Sequence, residues 1–594
     1  AAIGAALTRY WLIAPNAPFN SVIASELTVG FGLLYIALLV RQRAPLVPVF
    51  FVLGFGLDQI LRAAGNTLDI SWSSRYLQIQ TILSLVVGVA ALLLYVKSNT
   101  AVETKRNNPN YGLLNFWGGI GFGALLFLEA SLLALPNAIS GRAQTDYSTF
   151  VPFVAGATVL PLIPWVRIQG RKLIGIFDAS MRGWAWVILL ALLIVVGTRV
   201  NGYAGGAALV IAQLGVVMIW WWLPRQQAEQ ERNWSGLWVA LGMLVFVLLV
   251  VGDFFTYEYA FVRDFAPPLD FLNSVIPPIL RGMRGMGLMW ILFATFLACL
   301  PIIQTRRRIP WKEGGWVEAL LGLVAVIGIG GGAAFATLPP VIEGVRNTES
   351  LRIGTYNIHA GFSEFFDYDL ERIAETIATS GADVVLLQEV EAGRLTSFGV
   401  DQALWLARTL KMDERFYPTN EGLLGLAVLS RVEIVFSDGV LLDSTALQTG
   451  LQRVQILPDS EVITIYNTWL SPLLEETIVS RTTAQQEQDQ IVQLNEILGI
   501  IEAHHSSGIL GRTVLGGTFN NVPDSDLIML LQSTIFRDAF AGQPLDDSFT
   551  VERTGLRARL DYLWVANLTV EGAIVMDGDG SDHRMAVIGV NITR

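Results

Sequence analysis

The chain has 594 residues, 53% of them hydrophobic and 15% charged, which excludes both a single ordinary domain and a typical soluble protein. Its one cysteine, Cys299, excludes an intrachain disulfide. Charge is divided unevenly: residues 351–594 hold 16 basic and 34 acidic side chains, about −18, and the part before them about +7, so the acidic half argues against phosphate-backbone binding.

The chain starts at Ala1, so an initiator or a longer start is expected to precede it, and residues 1–14 read as the end of another apolar segment. Runs long enough to cross a bilayer core as helices follow at about 21–40, 45–64, 77–96, 112–135, 150–166, 183–198, 205–224, 235–256, 284–303 and 316–339. These predict an all-α polytopic membrane domain, residues 1–339, with ten spans, or eleven if the first segment counts. Alternate connections differ in charge. RQR (41–43), KSNTAVETKR (97–106), RIQGRK (167–172) with Arg182, RQQAEQER (225–232) and RRRIPWK (306–312) carry about 15 basic residues, against about 7 in the other set. Basic loops stay in the cytoplasm, so the last span delivers everything after residue 340 to the extracytoplasmic side.

Glu26, Asp58, Arg62, Glu129, Asp253 and Glu318 fall within the spans. Such groups either line a polar cavity for a headgroup or pair structurally, as Asp58 and Arg62 can at a spacing of four. WWW (220–222) reads as an interfacial aromatic belt and GIGGG (328–332) as close helix packing.

After a linker at 340–350 the pattern changes to short β-rich runs: LRIGTYNI, ADVVLLQEV, GLAVLS, EVITIYNTWL, TVLGGTF, ARLDYLWV and AVIGVNI. Helical spacing separates them at 369–380 and 478–503, and about 245 residues suffice for one layered α/β core. Four motifs in order, TYNIH (355–359), LLQEV (386–390), RLDYLW (559–564) and SDHRMAV (581–587), resemble the endonuclease/exonuclease/phosphatase superfamily. The resemblance covers nearly all of 351–594 and implies a DNase I-like four-layer α/β sandwich. It also implies roles: Asn357 positions phosphate and metal, Glu389 binds Mg2+ or Mn2+, Asp561 orients the catalytic His583, and Asp582 and Asn520 complete the site. The chemistry suits those types. A phosphodiester is already anionic, so a hard cation held by carboxylate neutralises charge growing in the transition state, and a histidine held by a carboxylate moves a proton near neutral pH.

Two positions depart from the family pattern. NTWL places Trp469 where members commonly carry histidine, and GGTFN places Thr518 where they carry aspartate. A threonine hydroxyl supplies no negative charge. Asp524 and Asp526 follow closely but read as loop and N-cap residues. His359 alternates onto the face of Asn357 and could enter the site, while His504 and His505 follow a helix and read as solvated. The arrangement of spans and soluble domain also resembles proteins that remodel the lipid of glycosylphosphatidylinositol anchors, which implies phosphorylated lipid headgroups as partners. Three functions stay open: a metal-dependent lipid phosphodiesterase, a pseudoenzyme that binds headgroups or scaffolds a complex, and a transporter or flippase with an accessory domain.

Overall fold

The computed structural model describes residues 1–14, 21–100, 114–177, 181–224, 234–304, 314–342, 344–345, 348–445, 447–459, 461–473, 485–505, 510–553 and 556–592. The basic segments 101–106, 225–232 and 306–312 and the start of the expected helix 478–503 lie outside them. The chain forms two compact units, one of Ala1–Asp253 with Met286–Leu338 and one of Phe254–Gly285 with Pro339–Arg594.

The first unit is helical, and each of the ten apolar runs falls on a helix. Among the described residues eight helices are long and apolar enough to cross a membrane, and Gly287–Ile303 is a shorter apolar helix. The run at 150–166 is not a straight span: Tyr147–Leu162 and Pro164–Ile174 meet at 87°. Pro161 and Pro164 remove two backbone donors there, and Ile163 between them is extended. Ala2–Ile13 is also a helix.

Asp58 and Arg62 pair at 2.8 Å, and Glu318 meets Arg167 at 2.6 Å. Of the tryptophans at 220–222, Trp220 and Trp222 are buried, and Trp221 lies under the Arg167 guanidinium. Trp220 is fully buried and stacks on Phe51 with centroids 4.3 Å apart, so its apolar area goes into packing. In GIGGG it is Gly330 that lies close to a neighbour, where a Cβ would stand 3.5 Å from the Pro152 carbonyl oxygen.

The second unit holds two six-stranded sheets and a hairpin. Its strands are β1 (Ser350–Asn357), β2 (Val384–Glu391), β3 (Asp413–Asn420), β4 (Leu424–Ser430), β5 (Ile434–Leu441), β6 (Gly450–Ile456) and β7 (Ile463–Trp469). There follow β8 (Thr513–Thr518), β9 (Arg537–Asp538), β10 (Val551–Arg553), β11 (Leu556–Ala558), β12 (Asp561–Ala566), β13 (Thr569–Val575) and β14 (Ala586–Asn591). One sheet runs β13-β14-β1-β2-β4-β3, the other β5-β6-β7-β8-β12-β9, and β10 and β11 form the hairpin.

Alternation decides what lies between the sheets. Leu351, Ile353, Val384, Leu386, Ile463, Ile465, Val514, Leu563 and Val565 form the buried core there. Intervening residues of the second sheet, such as Tyr466, Leu515, Tyr562 and Trp564, join Leu494, Ile497, Leu527 and Ile528 of the helices Gln485–His504 and Asp526–Gln532 in a second core. Each fully buried aliphatic side chain contributes about 1.5–3 kcal/mol. Helix Leu370–Ser380 starts where Asp369 accepts from the Arg372 amide and stops at Gly381, whose φ of 64° is left-handed.

Segment 254–285 is part of this unit through polar anchors. Arg394 pairs with buried Glu391, reaches Glu258 at 3.1 Å and sits 4.0 Å over the Tyr257 ring. The Gln448 amide donates to the Tyr259 hydroxyl at 2.9 Å, and Arg284 donates to the Ser444 carbonyl at 2.7 Å.

Candidate active site

Three neighbouring strand ends build one wall of the site. Trp469 of β7 is in register with Thr518 of β8, and Thr518 with Asp561 of β12. Alternation from Ile465, Val514 and Leu563 turns all three side chains to the inter-sheet face. Gly517 makes the close approach of β7 and β8 possible: its φ is +139°, and a Cβ would lie 1.9 Å from the Thr468 carbonyl oxygen.

Opposite stands β1. Asn357, fully buried at its end, donates from Nδ2 to Glu389 Oε1 at 2.8 Å and accepts the His359 amide at 3.0 Å. Strict alternation would send Glu389 away from this face. The register of β2 on β4 shifts between Leu387 and Val390, and Glu389 takes a φ of 53°, which turns its carboxylate back to Asn357. Burial raises the Glu389 carboxyl above its usual range, Asp582 adds to that, and His359, Asn357 and His583 oppose it.

The loop before β14 supplies the remaining groups. The Ser581 hydroxyl donates to the Asn357 carbonyl at 2.8 Å, fixing the turn that presents Asp582 and His583. His583 Nδ1 meets Asp561 Oδ2 at 2.7 Å, and Asp561 Oδ1 accepts the Thr518 hydroxyl at 2.6 Å. Burial pushes His583 towards its neutral form, but Asp561, Asp582 and Glu389 outweigh it and carry the imidazole up to about 9. Asp582 is bonded by Arg553 and lies 3.5 Å from His359 Nδ1. Burial works against its charge, yet His583, His359 and Arg553 hold the carboxyl below its usual range.

Asn357, Glu389, Thr518, Asp561, Asp582 and His583 thus share one network. Asn520, with a φ of 54°, donates to the Leu470 carbonyl at 2.8 Å, beside rather than within the relay. Trp469 is buried at 3% exposure, and its indole nitrogen has no hydrogen-bond partner among the described residues. His359 reaches Asp582 from a 3-10 turn after β1 ends, not by strand alternation. Ser525 caps the helix Asp526–Gln532, with Asp526 in its first turn. His504, exposed, stacks on Tyr466 on the outer side of the second sheet.

Gln388, Asn467 and Arg553 escape sequence reasoning. Gln388 Nε2 donates to Thr355 Oγ1 at 3.1 Å and Asn467 Oδ1 at 2.8 Å, while its Oε1 lies 3.3 Å from Thr518 Oγ1. Asn467 donates across to the Leu387 and Ala427 carbonyls at 3.0 Å each, tying the sheets together. The alternation that places Leu386 inside also places Gln388 inside, and that signal was available. Arg553 lies far along the chain from Asp582, and no spacing connects them.

Residues 354–583 match the model of the Endonuclease/Exonuclease/phosphatase family. This segment is an endonuclease/exonuclease/phosphatase domain. No curated protein matches the chain. Among solved structures, an endonuclease/exonuclease/phosphatase from Beutenbergia cavernae DSM 12333 is 23% identical, with a TM-score of 0.33, covering 41% of this chain and 72% of that one. A family protein from Leptotrichia buccalis C-1013-b is 20% identical, with a TM-score of 0.33, over 41% and 100%. The human Nocturnin catalytic domain with bound sulfate anion is 18% identical, with a TM-score of 0.33, over 42% and 97%.

Family members are generally divalent-metal dependent. Among the described residues no three His, Cys, Asp or Glu side chains form a metal cage. Mg2+ needs no such cage, since one or two carboxylates plus substrate phosphate oxygens hold it. Glu389, aimed by Asn357 and within electrostatic reach of Asp582, fits that shared mode, and those two carboxylates are the residues that would hold the ion. When bound it supplies charge neutralisation at the phosphate.

Proposed function

We propose that the endonuclease/exonuclease/phosphatase domain acts on or binds phosphorylated lipid headgroups, anchored by the N-terminal helices and held on the extracytoplasmic side. The observation that carries this reading is the buried relay of Thr518, Asp561 and His583 beside the Asn357–Glu389 pair. A protonated imidazole held by a carboxylate suits anionic phosphate, and the net charge of about −18 on residues 351–594 makes nucleic acid a poor partner. Positioning next to a membrane is supported by the apolar helices of the same chain. The grouping of segment 254–285 with the domain supports this orientation, since the basic-loop pattern assigns both to the extracytoplasmic side.

The test uses the full chain in vesicles containing phosphatidylinositol or phosphatidylethanolamine, with Mg2+ or Mn2+, and measures released headgroup and retained binding. Release that disappears in Glu389→Gln and His583→Ala supports a hydrolase. Neither release nor saturable headgroup binding would sink the proposal.

A second reading, headgroup binding without turnover, draws on Thr518: its hydroxyl satisfies Asp561 where a further carboxylate would have brought charge for a metal. Binding without release in the same assay selects it. A transporter with an accessory domain draws only on the number of apolar helices.

A further inference from the structure

Glu129 lies in the helical unit, far along the sequence from every residue of the candidate active site. It opens a π-helical turn, Glu129–Leu133, that interrupts the helix begun at Phe116. Such turns recur at functional positions because they break the regular hydrogen-bond ladder. Glu129, Thr158 and Gln213 are 0% exposed and Gln59 is 1% exposed, on four different helical segments.

The protons of this cluster can be counted. Gln213 Nε2 donates to Glu129 Oε2 at 2.7 Å and to Thr158 Oγ1 at 2.9 Å. Gln59 Nε2 donates to Thr158 Oγ1 and to the Ala134 carbonyl, both at 3.0 Å. Thr158 passes its own proton to the Val154 carbonyl at 2.9 Å. Every amide and hydroxyl proton of Gln59, Gln213 and Thr158 is therefore committed, and what remains are Gln59 Oε1, Glu129 Oε1 and Gln213 Oε1, each buried and without a hydrogen-bond partner among the described residues. Turning either amide over does not help, because it would set an oxygen against the Ala134 carbonyl or the Glu129 carboxylate. The buried Trp220 indole N–H adjoins the carboxyl and is itself uncommitted, a neutral donor that can meet the carboxyl but brings no charge.

What the cluster lacks is positive charge. Among the described residues no Arg, Lys or His forms an ion pair with Glu129, and an uncompensated carboxylate in a low-dielectric interior is strongly disfavoured. One water brings two protons but leaves the charge. Hard oxygen donors of carboxylate and carbonyl type suit a small hard cation.

We propose that Glu129, with Gln59, Thr158 and Gln213, forms a buried site for one exchangeable monovalent cation, either a proton carried by the carboxyl or a sodium ion held among the free oxygens. An ionisable group of this kind inside a helical membrane unit couples its occupancy to pH or sodium.

The test takes the full chain in lipid nanodiscs and treats it with dicyclohexylcarbodiimide, which modifies protonated carboxyls in apolar surroundings. Modification of the Glu129 peptide is read by mass spectrometry, and melting is followed in parallel across pH in sodium or choline chloride. Labelling that falls about tenfold per pH unit above its midpoint, unaffected by sodium, identifies the proton. Labelling suppressed by sodium, or melting raised by sodium and not by choline, identifies the sodium ion. Glu129→Gln supplies amide protons to the free oxygens and should fold, but neither label nor respond to sodium or pH. If it does not fold, Gln213→Leu serves instead, with sodium protection weakened about tenfold or more. A wild-type protein that does not label and melts identically in all these conditions overturns the site.

Discussion

Thr518→Asp introduces the carboxylate that the motif resemblance leads one to expect at this position, and the structure says what that costs. Thr518 Oγ1 gives its proton to Asp561 Oδ1 at 2.6 Å, and both residues are 0% exposed. An aspartate there cannot donate, so two carboxylates would face one another in a closed space. At about 4 Å and an effective dielectric of about 20, two unit charges repel by about 4 kcal/mol. The variant relieves this by taking up a proton or by binding a divalent cation between the introduced carboxylate and Asp561. In chelator, at neutral pH, it should melt lower by roughly 8–16 °C, since 1 kcal/mol moves a domain of this size by about 2–4 °C. Mg2+ or Mn2+ at about 100 times its dissociation constant adds about 2.7 kcal/mol and should restore most of the loss. Thr518→Val removes only the donor, costs about 1.5–3 kcal/mol and should not respond to metal. The assay is thermal unfolding of the full chain with chelator and with each metal. A Thr518→Asp protein that melts like wild type in chelator and ignores both metals refutes the reasoning, because the pair would then be neither close nor charged.

Gly517→Ala should be worse than any change in the relay, because its Cβ would enter the Thr468 carbonyl at 1.9 Å and force β7 from β8; a loss of more than about 3 kcal/mol is expected in denaturant unfolding. Arg394→Met strips the partner from Glu391, which is 2% exposed, and should cost about 3–5 kcal/mol and open segment 254–285 to limited proteolysis. Burial, with Asp401 adding and Arg415 opposing, lifts the Glu414 carboxyl to about 7. Because that native value exceeds the unfolded one, the native state holds more protons between about pH 4.5 and 7, and stability falls as pH rises through that window. Glu414 is partly solvent-accessible by surface area, which limits the effect to about 1–2 kcal/mol, and Glu414→Gln should flatten that slope in urea midpoints taken across the window.

The four motifs and the resemblance they carry supplied most of what could be read in advance about the domain, and period-two alternation accounts for where the structure puts those residues. Alternation places Thr518 and Asp561 on one face because β8 and β12 are regular to their ends, and the same rule, applied one residue earlier in LLQEV, places Gln388 between the sheets. It fails at Glu389, where a register shift and a left-handed backbone turn the side chain, and neither has a mark in the residue types. It fails differently at His359, which reaches Asp582 from a turn. In the helical unit length and hydropathy located the ten runs, but whether a run stays straight depends on single prolines. LPLIP, 160–164, contained that information. Trp220 could not be placed from composition, since an indole suits an interface and a buried stack equally.

A threonine rather than a carboxylate at 518 also bears on what His583 can do. Asp561 lies 2.7 Å from Nδ1 and outweighs burial, so the imidazole, carried up to about 9, is protonated at neutral pH. In that state both ring nitrogens are donors, and with Nδ1 committed to Asp561 it is Nε2 that remains for an anionic oxygen. With Asp561 outweighing burial the group favours its protonated form, in which it can serve as an acid towards a phosphate oxygen. A second carboxylate at 518 would raise the imidazole further and crowd negative charge beneath an anionic substrate unless a metal accompanied it. Threonine avoids that dependence: it holds Asp561 in place by donating to it and adds no charge. The site as built requires less from a divalent cation to admit a phosphate ester than a two-aspartate site would, and it receives less help from that cation in stabilising a transition state. Phosphate binding and turnover should consequently separate here, with binding persisting in chelator and any release of headgroup confined to metal.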